Sequence, residues 1–182
     1  MALTALLKIS GASGESRLST TEDPNAGGKV SNGSYKGWIE LQGWDWDVEA
    51  ETSWTKGGGA SVGKPNPGKM NWEHYFDTSS TVIMGYICTG KAFPKVELQM
   101  MKTTGSATPE TYYTMTMEGA FITKVSNKGG EDGSVSQDVE MVYKQIILGY
   151  KQQKNDGKLG GTKPFAWNIG TMNKTTTVKL SI

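Results

Sequence analysis

The sequence predicts a mainly β protein, a compact closed β-barrel or two-sheet sandwich with one short flanking α-helix and a long extended loop. The composition comes first: 182 residues hold 24 glycines, six tryptophans and seven tyrosines, which suits short strands joined by tight turns. Period-two alternation recurs along the chain, as where Val96, Leu98 and Met100 alternate with Lys95, Glu97 and Gln99. One segment, DTSSTVIMGYICTG, combines helical spacing with start and stop signals. At this length a single domain covering residues 1–182 is expected.

The first strand is predicted at Leu3 to Ile9, followed by Gly11, Gly14 and a polar, aperiodic surface excursion over 18–37. Trp38 to Glu51 alternates strongly but changes phase. Ile39 and Leu41 share one parity, and Trp44, Trp46 and Val48 the other. A one-residue slip reverses every side chain, so a bulge is expected at Gln42-Gly43, with glycine there serving a strained backbone. Residues 52–69 carry too many glycines and prolines for a packed element and read as the long loop. Met70, Trp72, His74 and Phe76 then alternate with polar partners, which places His74 on an apolar strand face as a packing residue. In the helix, Asp77, Thr78 or Ser79 caps the start, Val82, Ile83, Tyr86 and Ile87 form one face, and Gly90 ends it. Cys88, in the last turn, reads as a small core or interface residue.

Strands resume at KVELQMMK, then at TYYTMTMEGAFITKVS and SVSQDVEMVYKQIILGYKQ, separated by the turn NKGGEDG. In the last of these, Val139, Met141, Tyr143 and Ile147 occupy one face. The opposite face begins polar and turns apolar at Ile146, Leu148 and Tyr150, so that end needs a second cover, from the helix or from a neighbouring subunit. The chain ends with PFAWNIG and an alternating extension over 170–182, a possible extra strand.

Chemistry is poorly supported. With one cysteine and one histidine there is no internal disulfide and no zinc site of several Cys or His ligands. NDGKLGGTK lacks both the spacing and the following helix of a phosphate cradle, and Asn155-Asp156-Gly157 is turn chemistry. Asp45, Asp47, Glu49 and Glu51 offer a glycosidase reading, and Trp44, Trp46, Trp54 and Trp72 a sugar-stacking platform. Acids opposite tryptophans are equally what a half-buried strand shows. A net charge of +1 gives no general pull toward nucleic acid or an anionic membrane. No stretch approaches the ~20 apolar residues of a membrane span, and the N-terminus lacks the basic leader and apolar length of a signal peptide. No catalytic residue, metal ligand or cofactor is expected.

The order of LKISGASGES, WIELQGWDW, DTSSTVIMGYICTGKAFPKVEL and YKQQKNDGKLGGTKPFAWNI resembles the hemolysin-coregulated protein family, tube subunits of the bacterial type VI secretion system. The resemblance runs from about Leu3 to Ile169. It implies a β-barrel with one flanking helix whose protomers form hexameric rings that stack into a hollow tube. Such a tube assembles in the cytoplasm with spike, sheath and baseplate partners, carries effector proteins in its lumen, and leaves the cell without a signal peptide. It further implies ring contacts through the loop 52–69, where Trp54, Lys56, Val62 and Lys64 are the candidates, and through Ile146, Leu148 and Tyr150. The excursion and the C-terminal extension depart from the family pattern. A carbohydrate-binding β-sandwich and a phage tail tube protein are the alternatives.

Overall fold

The computed structural model describes residues 4–18, 35–55, 59–103, 109–171 and 173–174, and the side chains of these except at 51–55, 59–62 and 173–174. In chain order the elements are β1 Thr4–Ile9, β2 Ile39–Asp45, β3 Val48–Thr55, β4 Gly59–Pro67, β5 Met70–Tyr75, α1 Thr78–Thr89, β6 Phe93–Lys102, β7 Glu110–Gly129, β8 Val135–Val142, β9 Gln145–Gln153, β10 Leu159–Asn168 and β11 Asn173–Lys174.

Six antiparallel strands close a barrel in the order β1, β2, β5, β8, β7, β6. Closure is possible because β7, 20 residues long, serves two neighbours along one edge. Its residues 121–129 pair with β8, and 113–118 pair with β9. Beyond β9 the sheet continues through β10 and β11 as a wing outside the barrel.

The hand-over occurs at Tyr143-Lys144, between β8 and β9, where the Lys144 amide donates to the Glu118 carbonyl at 3.0 Å. Gly119 opposite takes φ +61°, a backbone state favoured by glycine. This break corrects the expectation of one strand apolar on both faces. Val139, Met141 and Tyr143 point inward; after the two-residue interruption the inward parity passes to Ile146 and Leu148, so these continue the same core.

The core packs Leu7, Ile39, Met70, Leu98, Met115, Met117 and Met141, each fully or almost fully buried. Each such side chain contributes roughly 1.5–3 kcal/mol by leaving water. On the opposite face of β1, Leu6 forms a second small cluster with Tyr35, Trp38 and Met101. Its cover is the base of the excursion, where residues 14–18 and 35–38 run antiparallel through Gly14-to-Gly37, Ser16-to-Trp38 and Tyr35-to-Leu18 amide–carbonyl bonds of 2.8–3.1 Å. Residues 19–34 lie outside the described residues.

The bulge is present: Leu41 pairs with His74 but Gly43 pairs with Glu73, which leaves Gln42 as the extra residue. It moves the inward face from Ile39 and Leu41 to Trp44. Gly43 itself is not at positive φ, and a Cβ there meets nothing within 4 Å. The expected backbone strain is therefore absent. Two further expectations change. The strand predicted through Glu51 stops at Asp45, and the described residues of the expected loop 52–69 supply the end of β3 and all of β4, a two-stranded ribbon that among the described residues pairs only with itself. A ribbon tolerates Pro65 and Pro67 because each of its strands has a free edge where an N–H is not needed. Of the C-terminal extension, Asn173 and Lys174 pair with Asn168 and Trp167; residues 175–182 lie outside the described residues.

The helix α1 forms as its sequence dictates. Asp77 accepts from the Ser79 amide at 2.9 Å and Ser80 closes the capping box, while Gly90 ends the helix at φ 65°. Ile83 is buried against the barrel, and Tyr86 stacks on Phe93 at 3.9 Å. Cys88 is exposed, contrary to a core role.

Candidate functional site

The feature not accounted for by packing is the ribbon β3–β4. Its eight-residue first strand extends about 26 Å at roughly 3.3 Å per residue, and among the described residues no barrel strand pairs with it. Such a hairpin is marginal alone in water, so its attachment decides its direction.

Four residues make that attachment. The Gly68 amide donates to the Asp47 carbonyl at 2.9 Å, and the Tyr143 hydroxyl donates to the Gly68 carbonyl at 3.0 Å. The same hydroxyl accepts from the Trp46 indole N–H. A Cβ on residue 68 would lie 1.7 Å from an Asp47 carboxylate oxygen and 3.2 Å from the Asp47 carbonyl oxygen, so a larger residue here would displace the Asp47 side chain at the junction of the two ribbon ends. Burial, opposed by the Trp46 bond and reinforced by Asp47, pushes the Tyr143 phenol up to about 12, so it stays protonated and able to donate. The β8–β9 break that redirects the core thus also aims Tyr143 at the ribbon base. Sequence reasoning placed Trp46 and Tyr143 in the core and missed this clamp; the available signal was a polar-tipped aromatic in each strand beside a Gly at the end of a proline-rich run.

The predicted contact residues separate into two groups. Trp54 pairs with Ala60 and Val62 with Thr52 on the ribbon, with side chains outside those described; Lys56 lies outside the described residues. Lys64 is exposed beside the register shift in β4. On β9, Ile146 is fully buried and Leu148 half-buried against the core, so of that trio Tyr150, 45% exposed, offers surface. Other exposed apolar side chains cluster in pairs. Phe121 and Val142 face each other across β7–β8, and Phe76 accompanies Val135 through an amide–carbonyl bond of 2.8 Å.

The remaining chemistry is quiet. A surface groove of about 380 Å³ lies over β2, β5, β7 and β8; of its charged side chains, Asp45 accepts from Asn71 at 2.8 Å, Glu140 from Lys69 at 2.7 Å, and Asp138 from Lys128 at 2.5 Å. Hydrogen bonds from Lys69 and then Thr123 hold the Glu140 carboxyl below its ordinary range. Asp45 and Asp47 do not form a facing pair, Asp45 ending β2 and Asp47 lying in the break before β3. Trp38 and Trp72 are buried, Trp44 stacks on Tyr113, and Trp46 is committed to the clamp. No tryptophan platform for a sugar forms among the described side chains. No cluster of three or more His, Cys, Asp or Glu able to hold a metal occurs among the described residues, and no helix there is long and apolar enough to cross a membrane.

A closed barrel that carries a clamped, projecting ribbon and exposed apolar strand surfaces defines a class: a structural subunit built to be joined to others. The family described as "Type VI secretion system effector, Hcp" matches residues 7–150. The chain belongs to this hemolysin-coregulated protein (Hcp) family, the tube subunits of the type VI secretion system. Protein hcp1 of Pseudomonas aeruginosa is 31% identical over 109 residues, covering 58% of this chain and 66% of that protein. The Major exported protein of the same organism is 26% identical over 98 residues, covering 50% of this chain and 57% of its own length. The chain thus spans less than two thirds of either curated relative. Hcp1 from Salmonella typhimurium has the same fold with a TM-score of 0.72 and 26% identity, covering 96% of this chain and 100% of that one. A type six secretion system protein superposes with a TM-score of 0.79 at 22% identity, over 96% of this chain and all of its own.

Proposed function

We propose that this chain forms hexameric rings that stack into a hollow tube, with the ribbon β3–β4 as the axial connector. The observation that carries this is a ribbon that, among the described residues, pairs with no strand of its own barrel and is held at its base by half-buried hydrogen bonds. A ribbon so anchored has its backbone edges free for the next subunit, and edge pairing is a low-cost route to contact. Trp54, Lys56, Val62 and Lys64 then supply the stacking contacts, and Tyr150 with the Phe121–Val142 pair supplies lateral ones. The rings assemble in the cytoplasm, engage spike, sheath and baseplate proteins, carry effectors in the lumen, and are exported without a signal peptide, in keeping with a relative named as exported. The role is architectural and not enzymatic.

Light scattering after size exclusion should give about six times the 19.7 kDa chain. Replacing residues 52–62 by a short turn, with the clamp kept, should leave the barrel and ring intact and abolish tubes in electron micrographs and secretion from cells. Normal tubes from that variant would remove the ribbon from the stacking contact. A monomeric wild-type chain would remove the ring.

A further inference from the structure

We propose that one water molecule is built into the barrel between His74 and Gln137, completing a hydrogen-bonded run that latches helix α1 to three strands. The strand residues form a register row: Asn127 on β7 pairs with Gln137 on β8, and Gln137 pairs with His74 on β5. His74, Gln137 and Ser80 of the helix are all fully buried. Yet His74 Nδ1 and Gln137 Oε1 have no hydrogen-bond partner among the described residues. Leaving a buried donor or acceptor unmet is costly, and the burial of both atoms shuts out bulk solvent. Trp72 Nε1, the third such atom among the described side chains, lies two residues back on β5, and the bridge does not require it.

The donors and acceptors decide what fits. The Ser80 hydroxyl oxygen accepts from the Asp77 amide at 3.1 Å; it lies 3.1 Å from His74 Nε2 but 3.5 Å from Asp77 Oδ1. That carboxylate oxygen already accepts from the Ser79 amide and the Ser79 hydroxyl. The single Ser80 proton therefore goes to Nε2, and the ring proton of neutral His74 sits on Nδ1. On the other side, Gln137 Nε2 donates to Asn127 Oδ1 at 2.9 Å, and Asn127 Nδ2 donates to Met84 Sδ at 3.7 Å. An unmet donor, Nδ1–H, and an unmet acceptor, Oε1, thus belong to directly opposed residues. The Phe76 amide donates to the Val135 carbonyl, so with a period of two His74 and Gln137 are a hydrogen-bonded pair, the wider kind with Cα atoms about 5.5 Å apart. A water that accepts from Nδ1–H and donates to Oε1 satisfies both, and roughly two to four such bonds are what a buried water makes. The completed run leads from the Asp77 amide through Ser80, His74, the water, Gln137 and Asn127 to Met84. It grips α1 at Ser80 and Met84, one turn apart, and does not depend on the tube reading.

Two measurements on the unmodified full chain test it. His74 is the only histidine, so solid-state nitrogen spectra of protein carrying isotope-labelled histidine report this ring alone. At neutral pH they should show Nδ1 protonated and Nε2 bare, with Hδ1 in through-space contact with water. A ring proton on Nε2, or an Hδ1 without that contact, would overturn the proposal. In a crystal structure, density for one ordered water should lie within about 3.2 Å of both Nδ1 and Oε1. Nδ1 bonded directly to Oε1, or no water between them, would overturn it. A variant adds a third test: Gln137→Met keeps the length of the side chain and removes the acceptor. Exchange of Hδ1 with solvent should then accelerate at least about tenfold while the barrel still melts cooperatively. Unchanged exchange in the folded variant would overturn the bridge, and the first two measurements stand whether or not this variant folds.

Discussion

His74 shows how one side chain joins two elements. It is fully buried on β5, and its Nε2 lies 3.1 Å from the Ser80 hydroxyl in the helix cap, with the Asp77 carboxylate 3.9 Å away. Burial lowers its pKa below the ordinary 6.5, while Asp77 and Asp138 oppose the shift. The unfolded chain therefore takes up this proton before the folded one. The stability tied to neutral His74 is complete above about pH 6.5 and declines as pH falls toward the folded-state value. His74→Gln should flatten that dependence in thermal melts between about pH 7.5 and about pH 5; an equally steep decline in the variant would assign it to other groups. Glycines separate just as clearly. A Cβ on Gly14 would lie 2.4 Å from the Trp38 carbonyl oxygen, so Gly14→Ala should cost about 1–3 kcal/mol through displaced backbone. At Gly43, with open space and no positive φ, Gly43→Val should change stability by less than about 0.5 kcal/mol. Denaturant titration of the two variants reads this difference directly.

Among the elements, the helix and the ribbon are both held at their ends. The helix is 12 residues long, marginal for an isolated helix, and persists through its cap and its docked face. Asp77→Ala removes the acceptor of the Ser79 amide and should cost about 1–2 kcal/mol, measurable as a lower denaturation midpoint with unchanged slope. For the ribbon, Tyr143→Phe keeps the ring in the core and removes the hydroxyl that serves Trp46 and Gly68. Two hydrogen-bonding groups lose their partner, so a loss of about 1–2 kcal/mol is expected. Limited proteolysis should then cut within residues 48–67 faster than in the wild type while the barrel core stays resistant. Uniform sensitivity across the chain would mean that Tyr143 supports the barrel and not the ribbon.

For the whole molecule, charge and apolar surface point to different experimental responses. The chain is nearly neutral at +1, and the ion pairs of its groove are satisfied internally. The lateral contact proposed for Tyr150 and the Phe121–Val142 pair is mostly apolar. Rings should survive about 1 M salt, where screening shortens electrostatic reach to about 3 Å. Dissociation at that salt, read by light scattering, would assign the contact to charge.

The sequence by itself determined the local features: the strands, the bulge at Gln42, the capped helix from Asp77 to Gly90, and the turn at Asp156, whose carboxylate accepts from the Lys158 amide at 3.1 Å. Each depends on residues within a few positions of one another, where side-chain parity and capping chemistry act directly. Order and spacing of motifs also carried the family. Tertiary structure alone decided where strands stop and which faces are covered. Whether Ile146 faces core or partner turns on a break at Tyr143-Lys144 that exists because β7 must serve both β8 and β9, and no periodicity in β9 records that demand. Residues 52–69, too rich in glycine and proline for a packed strand, became a ribbon because a two-stranded element needs only one bonded edge per strand. The clamp joins Trp46, Gly68 and Tyr143, residues up to 97 positions apart, so it exists only once the barrel has closed.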